Sequence, residues 1–437
     1  MVKQILLKGG YLLDPAQNWE GPQDLLLEDG RVKEVAAQIP RERAETCVEV
    51  NGKVVTPGFI DMHVHLREPG EEEKETVYSG TSAAVAGGVT AVGAMPNTQP
   101  AMDNPQTVKY LQDRIRRSAQ VRVYPLGTIT QGRKGEELSN YASLLASGVK
   151  AFSDDGLTVA QNRIMYQAFQ YLKKFQGLII SHCEDPQLSE GGEAHEGYWA
   201  NLLGIPGLPE AAEVLAVARD VLLAKATRGR LHLAHISSAE SLKWIKWARE
   251  EGVDVTAEVT PHHLLLDDSM LQGFNPMAKM RPPLRTEEDR WALVEALEQG
   301  VIDVLATDHA PHCQEDKCKD FQGAANGVSG LEIALPLVIT NLVKPGHLSW
   351  SRLVECFSLK PAQRLKVPGG TLAPGSPADV TVLDLEKESR IDSSRFYSQG
   401  RNTPFEGYSL QGMPVMTIVG GEIKMENGKV YREATSP

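Results

Sequence analysis

The 437-residue sequence lacks an apolar run long enough to cross a membrane, a block of lysine and arginine, and a regular set of cysteines. Its five cysteines are scattered and odd in number, which is typical of reduced thiols rather than of a disulfide framework. A net charge of −12 argues against nucleic acid or an anionic membrane as the main partner. The apolar run in the opening "MVKQILLKGG" is too short for a signal peptide, so we expect a cytoplasmic protein.

The stretch "GFIDMHVHLREPG", residues 58–70, places two histidines one residue apart at the end of an apolar strand. Side chains alternate between the two faces of a strand, so Asp61, His63 and His65 project from the same side. Neutral imidazole is a common ligand of divalent cations. The pattern therefore predicts a metal site; the alternative is a core strand whose histidines bond to neighbouring side chains.

The middle of the chain differs from its ends in the secondary structure that its residue pattern predicts. Dipeptides typical of tight hairpin turns, Asp29-Gly30 and Asn427-Gly428, mark hairpins near both ends. From about residue 56, eight β-rich runs, of which "VKAFSDD" is the fourth, alternate with segments of helical periodicity. We therefore predict an α/β fold, a (β/α)8 TIM-type barrel over residues 56–365, with a small β-sandwich formed from residues 1–55 and 366–437. A doubly wound open sheet is the alternative, but no glycine-rich nucleotide loop follows the first strand.

Polar residues gather at the carboxyl ends of the predicted strands, where such barrels carry their reactive groups. The candidates are His63, His65, Arg67, Asn97, Asp154, Asp155, His182, His235, Asp308, His309 and His312. Four histidines and two aspartates at one rim would repel each other or remain unsatisfied without cations among them. Nitrogen and oxygen ligands without thiolate predict two divalent metals, Zn²⁺ first and Co²⁺ or Mn²⁺ next.

The remaining histidines are interpreted as structural or supporting. His232 precedes His235 by three residues and is expected on the opposite side of its strand. His262 and His263 follow the seventh strand and are candidates for supporting the metal ligands. Asp154 and His309 should face away if their neighbours Asp155 and Asp308 point inward.

The chain resembles the amidohydrolase superfamily and, within it, the bacterial class I dihydroorotases. The resemblance rests on "GFIDMHVHLREPG", "AMPNTQP", "KAFSDDG", "SHCED", "EGYWANLLGIPGLPEAAE", "LAHIS", "EVTPHHL", "PPLR" and "ATDHAPH", which follow the order of the family. It implies that two zinc ions are bound by His63, His65 and Asp308 on one side, by His182 and His235 on the other, and by Asp155 between them. Many relatives use a carbamylated lysine as the bridge, and Lys150 is the alternative to Asp155.

The resemblance also implies a reaction, the reversible hydrolysis of L-dihydroorotate to N-carbamoyl-L-aspartate in pyrimidine synthesis. A hydroxide shared by the two zinc ions would attack the ring amide, with Asp308 as general base and then general acid. The implied substrate-binding residues are His65, Arg67, Asn97, Arg281, His312, Asn326 and Gly327. Two places depart from the family: Arg281 stands where asparagine is usual before "PPLR", and "AANGVSGLE" replaces a usual "PFG".

Other functions stay open at this point. A hydantoinase or an allantoinase would use the same centre with a different pocket. A non-catalytic dihydroorotase-like subunit that supports aspartate transcarbamoylase is a further alternative. Family analogy also suggests that transferase as a partner of an active enzyme, together with a homo-oligomer. The long loop "HCQEDKCKDFQGAANG" after Asp308 is a candidate lid.

Overall fold

The computed structural model describes residues 4–431. Its strands are β1 Gln4–Asp14, β2 Trp19–Glu28, β3 Arg31–Ala36, β4 Thr46–Glu49, β5 Val54–Pro57, β6 Phe59–Val64, β7 Val89–Ala94, β8 Arg122–Pro125, β9 Leu178–Ser181, β10 Ala194–His195, β11 Gly207–Leu208, β12 Arg230–Leu233, β13 Val255–Val259, β14 Val304–Leu305, β15 Val380–Arg390, β16 Ser409–Val419, β17 Glu422–Glu426 and β18 Lys429–Val430.

Helices follow most strands of the middle of the chain. They are α1 Val77–Ala86, α2 Pro105–Ser118, α3 Tyr141–Ala146, α4 Asn162–Lys173, α5 Tyr198–Leu203, α6 Ala211–Thr227, α7 Ala239–Glu250, α8 Pro261–Leu265, α9 Glu287–Glu298, α10 Gln314–Lys317, α11 Ala334–Val338, α12 Trp350–Val354 and α13 Lys360–Leu365. The α/β fold is confirmed. Within residues 4–431, no helix has both the length and the apolar character needed to cross a bilayer.

The middle of the chain forms a closed ring of parallel pairings. One sheet runs β6-β7-β8 and another runs β9-β12-β13-β14. Phe152 joins them on one side, because it pairs in parallel with both Gly127 and Ile179. On the other side Val64 pairs in parallel with His309, which follows β14. Parallel strands point their carboxyl ends the same way, so the loops after them meet at one end of the ring.

The fourth member of the ring is shorter than the sequence predicts. "VKAFSDD" was expected to form a strand, but only Phe152 pairs with its neighbours. The carboxylate of Asp154 accepts the backbone N–H groups of Ile129 and Thr130 at 2.8 and 3.1 Å. In a longer strand these two N–H groups would donate to backbone carbonyls. Because they donate to the Asp154 side chain instead, the strand pairing does not extend past Phe152.

Both ends of the chain pair into one sheet beside the ring. Its strand order is β18-β17-β16-β15-β5-β1-β2-β3, with β4 paired to β1. The two predicted hairpin turns are confirmed, since Asp29, Gly30, Asn427 and Gly428 all have positive φ between 50° and 83°. Strands from the two ends of the chain therefore lie in one sheet.

That sheet folds over on itself around an apolar core. The N–H of Ala378 donates to the carbonyl of Gly30 at 2.8 Å, and the N–H of Gly421 donates to the carbonyl of Ala378 at 2.9 Å. These bonds draw the turns at both ends of the chain together. Buried side chains from facing parts of the sheet, including Leu25 and Met416, then share one hydrophobic cluster.

An ion pair joins the terminal sheet to the ring. Arg122 of β8 donates from Nε and Nη2 to the two carboxylate oxygens of Asp379 at 2.7 and 3.1 Å. The same carboxylate accepts the N–H of Gly420 at 2.7 Å. The Asp379 side chain is only 6% exposed and Arg122 is 37% exposed, so removing the charge of Asp379 leaves Arg122 without its anionic partner.

We expect Asp379→Asn to lower the free energy of unfolding by about 1–3 kcal/mol, because a bidentate charged bond becomes a weaker neutral one. The midpoint of urea unfolding measures this loss. Glu49→Gln is the matched control, since Glu49 pairs with Arg41 on the surface of the same sheet and should change stability by less than about 1 kcal/mol. Equal effects of the two substitutions would contradict the prediction.

Candidate active site

Five side chains from four places in the ring bring their metal-binding atoms together. Two groups of possible ligands form: His63, His65 and Asp155 in one, and Asp155, His182 and His235 in the other. Within each group the ligand atoms lie within 4.8 Å of one another, and every member is buried. Asp155 belongs to both groups, so its carboxylate lies between the two pairs of histidines.

Asp155 is surrounded by ring nitrogens. Its Oδ1 lies 3.4 Å from His63 Nε2, 3.7 Å from His182 Nδ1 and 3.6 Å from His235 Nε2. Its Oδ2 lies 3.5 Å from His65 Nε2. Burial alone would raise the pKa of Asp155, but the facing histidines hold that pKa well below its usual range. The carboxylate is therefore ionised at neutral pH.

Two of these atoms have no hydrogen-bond partner among the described residues: His63 Nε2 and Asp155 Oδ1 are both buried and unsatisfied. Buried polar atoms are normally paired, because an unpaired one loses its hydration without compensation. In addition, His182 Nδ1 and His235 Nε2 face each other at 2.9 Å. Converging imidazole and carboxylate atoms of this kind fit divalent cations, so the structure indicates a metal centre.

A residue that the sequence analysis missed orients these histidines. Glu258 of β13 is fully buried, and its Oε1 lies 2.5 Å from His63 Nδ1. Its Oε2 lies 2.9 Å from His232 Nε2. Burial would raise the pKa of Glu258, but His63 and His232 hold that pKa at about 2. Glu258 thus accepts the Nδ1–H of His63 and leaves Nε2 free to bind a cation. Its sequence signal is a lone charge within the apolar strand "VTAEV".

Asp308 completes the centre from the end of β14. Its Oδ1 lies 3.0 Å from His65 Nε2 and 3.3 Å from His63 Nε2. The facing histidines hold the pKa of Asp308 below its usual range, although burial opposes them. The backbone is left-handed at Asp308, with φ of 46°, and at His235, with φ of 34°. Such strained conformations at non-glycine residues cluster at functional sites.

A cavity of about 270 Å³ opens beside the ligand cluster. It is lined by His65, Arg67, Asn97, Asp155, Gly156, His182, His235, Arg281, Asp308, Ala310, His312, Asn326 and Gly327. All seven residues predicted to bind substrate are among them. The structure therefore brings the predicted ligands and the predicted substrate residues to one place.

Polar side chains on one wall of the cavity are fixed by hydrogen bonds. Asn97 Oδ1 lies 2.8 Å from His65 Nδ1. Arg67, 8% exposed, donates from Nε to the carbonyl of Pro311 at 3.2 Å. Burial and the Arg67 charge lower the pKa of His312 to about 3, so this histidine is neutral. Its Nε2 then donates to the carbonyl of Asn326 at 2.8 Å. Arg67, whose Nη1 lies 3.8 Å from Glu71 Oε2, is the cation of this wall.

Arg281 lines the cavity but is already paired. Its Nε donates to both carboxylate oxygens of Glu184 at 3.0 and 2.8 Å, and its Nη2 donates to Oε1 of the same glutamate at 2.6 Å. Its Nη1 donates to the carbonyl of Gly192 at 3.2 Å. The carboxylate of Glu184 therefore neutralises the charge of Arg281.

The loop after Asp308 is anchored by a buried lysine. Lys317 is 1% exposed, and its Nζ donates to the carbonyls of Pro276, Lys279 and Ala325 at 2.9, 3.0 and 2.7 Å. Three carbonyl acceptors satisfy all the donors of an ammonium group. The movement of this loop as a lid stays a prediction.

The chain is similar in sequence to proteins of known function. The family model described as "Dihydro-orotase-like" matches residues 52–241. A dihydroorotase of Acetivibrio thermocellus is 44% identical over 419 residues, covering 96% of this chain and 98% of the relative. One of Bacillus caldolyticus is 47% identical over 403 residues, covering 92% and 94%. The chain belongs to the dihydroorotase family. The dihydroorotase function predicted from the sequence is confirmed by these relatives.

A more distant likeness concerns the fold. The L-hydantoinase (dihydropyrimidinase) of Arthrobacter aurescens has a TM-score of 0.91 at 28% identity, covering 99% of this chain and 98% of its own. A D-hydantoinase (dihydropyrimidinase) of Thermus has a TM-score of 0.84 at 25% identity, covering 98% and 97%. These cyclic amidohydrolases are less similar in sequence than the dihydroorotases, which weakens the hydantoinase alternative.

The structure bears on the alternative bridge and corrects one expectation about this dihydroorotase-family site. Lys150, the alternative to Asp155, is exposed to solvent. His232 does not face away from His235: its Nε2 bonds to Glu258, whose Oε1 contacts His63, and the rings of His63 and His235 lie 5.3 Å apart. The alternation argument failed because β12 ends at Leu233 and the backbone turns left-handed at His235.

The other histidines largely behave as expected. His309 faces away from the cavity, with Nε2 3.2 Å from Glu75 Oε2. His263 Nε2 donates to the carbonyl of Pro282 at 3.0 Å, and its Nδ1 lies 2.8 Å from Thr260 Oγ1. His262 is buried, and its Nε2 has no hydrogen-bond partner among the described residues. A supporting role for His262 and His263 stays a prediction.

We expect Glu258→Gln to weaken metal binding by about 10- to 100-fold, because the amide no longer supplies the charge that orients His63. Competition with a chelator, read out as metal retained per chain, measures the change. Asp303→Asn is the matched control: Asp303 accepts the N–H of Ala257 on the same strand, away from the cavity. Similar metal loss in both variants would show that general destabilisation, and not the bond to His63, is responsible.

Proposed function

We propose that the cluster around Asp155 is the dihydroorotase centre, which opens the ring of L-dihydroorotate to N-carbamoyl-L-aspartate reversibly, as a step of pyrimidine synthesis. The observation that carries the proposal is the placement of Asp155 between two histidine pairs, next to a cavity that contains Arg67. A metal centre suits hydrolysis of an amide, and a cation beside it suits a substrate with a carboxylate.

We propose two Zn²⁺ ions as the native cofactor. His63, His65 and Asp308 would hold one, His182 and His235 the other, and Asp155 both. The unsatisfied atoms His63 Nε2 and Asp155 Oδ1 and the absence of thiolate from these ligand groups support this assignment. Two such cations supply a nucleophilic water at neutral pH and polarise the amide carbonyl.

Asp308 is proposed as general base and acid. Its carboxylate is deprotonated at neutral pH and faces both the ligand cluster and the cavity. It is therefore able to take a proton from the attacking water and to return it to the ring nitrogen as the C–N bond breaks. In the synthetic direction the same carboxylate takes the proton from the carbamoyl nitrogen.

The substrate carboxylate is assigned to the wall formed by Arg67, Asn97 and His312. Arg67 offers a planar fork of donors that matches a carboxylate. Asn97 uses its oxygen on His65, so its amide nitrogen remains for the substrate. The backbone of Asn326 and Gly327 closes the same side of the cavity.

The architecture around this site is also part of the proposal. We interpret the closed ring as a (β/α)8 barrel of residues 56–365, and the folded-over terminal sheet as a β-sandwich of residues 1–55 and 366–437. A homo-oligomer and an association with aspartate transcarbamoylase remain proposals from family analogy. All five cysteines are free, which supports the proposed cytoplasmic location.

Ring opening of L-dihydroorotate should be lost on chelation and regained with Zn²⁺, because the ligand cluster has no other source of an activated nucleophile among its side chains. Hydantoin and allantoin, assayed in parallel, should react much more slowly because they lack the carboxylate for Arg67. Faster hydrolysis of either would favour the corresponding alternative. Metal-loaded protein inactive on all three rings would favour the non-catalytic subunit.

Asp308→Asn should lower kcat by at least about 100-fold, since the amide cannot accept the proton. Steady-state rates in both directions, with metal content measured on the same samples, test this. Asp320→Asn, an exposed carboxylate in the following loop, is the control and should leave kcat within about twofold. A near-normal kcat for metal-loaded Asp308→Asn would reject Asp308 as the base.

A further inference from the structure

One side chain outside the ring joins two loops of the substrate cavity. Asn402 is 2% exposed, and its Nδ2 donates to the carbonyl oxygens of Ala310 and Gly327, both at 3.0 Å. Its Oδ1 accepts the N–H of His312 at 3.0 Å and the hydroxyl of Ser329 at 2.8 Å. Ala310, His312 and Gly327 all line the cavity.

The four bonds fix the identity and orientation of the amide. Asparagine has two N–H donors and an oxygen with two lone pairs, and here every one of them is used. A carboxylate would present an acceptor to two carbonyl oxygens, and an aliphatic side chain would leave four buried groups unpaired. The backbone carbonyl of Asn402 adds a fifth bond by accepting the N–H of Ser329 at 2.7 Å.

The segment that carries Asn402 is packed tightly against the loop after Asp308. A Cβ atom added at Gly400 would lie 2.5 Å from both Pro311 Cβ and Ser329 Oγ, so only glycine fits there. Ser398 Oγ bonds at 2.5 Å to Glu75 Oε2, which also lies 3.2 Å from His309 Nε2. Residues 398–402 therefore contact this loop on both sides of Ala310.

We propose that Asn402 is a positioning residue for the ring-opening reaction. Asn402 does not line the cavity itself, but its bonds to lining residues set His312 relative to the backbone of Gly327 and so shape the wall assigned to the substrate carboxylate. The inference rests on the function proposed for that wall. Ala310 N–H also donates to the carbonyl of Val328 at 2.9 Å, so the two loops stay joined when Asn402 is altered.

Asn402→Ala and Asn402→Asp are expected to raise KM for both L-dihydroorotate and N-carbamoyl-L-aspartate by about tenfold or more, because small displacements of binding groups weaken substrate positioning strongly. Metal content should equal that of the wild type, since no metal ligand is touched. Asn140→Ala is the matched control: Asn140 caps α3 by accepting the N–H of Ser143, so stability should fall without a change in KM.

Hydrogen exchange supplies a readout independent of activity. The amide of His312 should exchange faster in Asn402→Ala, where it loses its acceptor, and not in Asn140→Ala. A KM within twofold of wild type in the Asn402 variants would overturn the proposal.

If neither variant folds, Ser329→Ala, which removes one of the four bonds, should raise KM by a smaller factor, and an unchanged KM would again overturn it. A wild-type protein that does not open dihydroorotate would reject the proposed function and this inference together, whereas normal wild-type activity with unchanged variants rejects the inference alone.

Discussion

A buried carboxylate between two pairs of imidazoles is the constraint that the rest of the site must meet. Asp155 lies in contact range of four ring nitrogens, yet its Oδ1 has no hydrogen bond from the described residues. An ionised carboxylate in such a place is unfavourable unless cations compensate it. The closed ring brings the ligand residues at the ends of separate strands to one point. A single local segment of chain could not place so many ligands together.

Convergence alone would not keep the imidazoles in a useful orientation. Glu258 contacts Nδ1 of His63, and Asn97 contacts Nδ1 of His65. In both rings Nε2 is therefore directed towards the carboxylate of Asp155. The left-handed backbone at His235 and Asp308 carries a local conformational cost. Glu258 accepts the N–H of His235 at 3.3 Å, and Asn402 bonds to Ala310 in the loop after Asp308, so bonds from outside the centre support the two segments that carry this strain.

The sequence predicted features that depend on local pattern. Period-2 and period-3.6 runs placed most strands and helices, and polar residues at strand ends indicated the ligand cluster. Two predictions from local pattern failed. The segment around Phe152 does not form a full strand, because the Asp154 side chain accepts backbone N–H groups of the neighbouring segment. The side of the strand on which His232 lies was predicted wrongly, because β12 ends at Leu233 and the alternation of side chains does not continue to His235. Glu258 gave only a single charge in an apolar strand. Asn402 acts across 90 residues on His312, a separation that no local pattern reports.

The pairing of Arg281 with Glu184 explains how an arginine can line the cavity without adding an unpaired positive charge to it. Dihydroorotate carries one carboxylate and N-carbamoyl-aspartate carries two, so an unpaired second arginine would favour the open product and shift the balance of the bound states. Because Glu184 accepts three of the guanidinium contacts, Arg281 contributes bulk and a rigid wall rather than net charge. In the proposed site, recognition of the carboxylate that both compounds share is assigned to Arg67, which suits a reaction that runs in either direction.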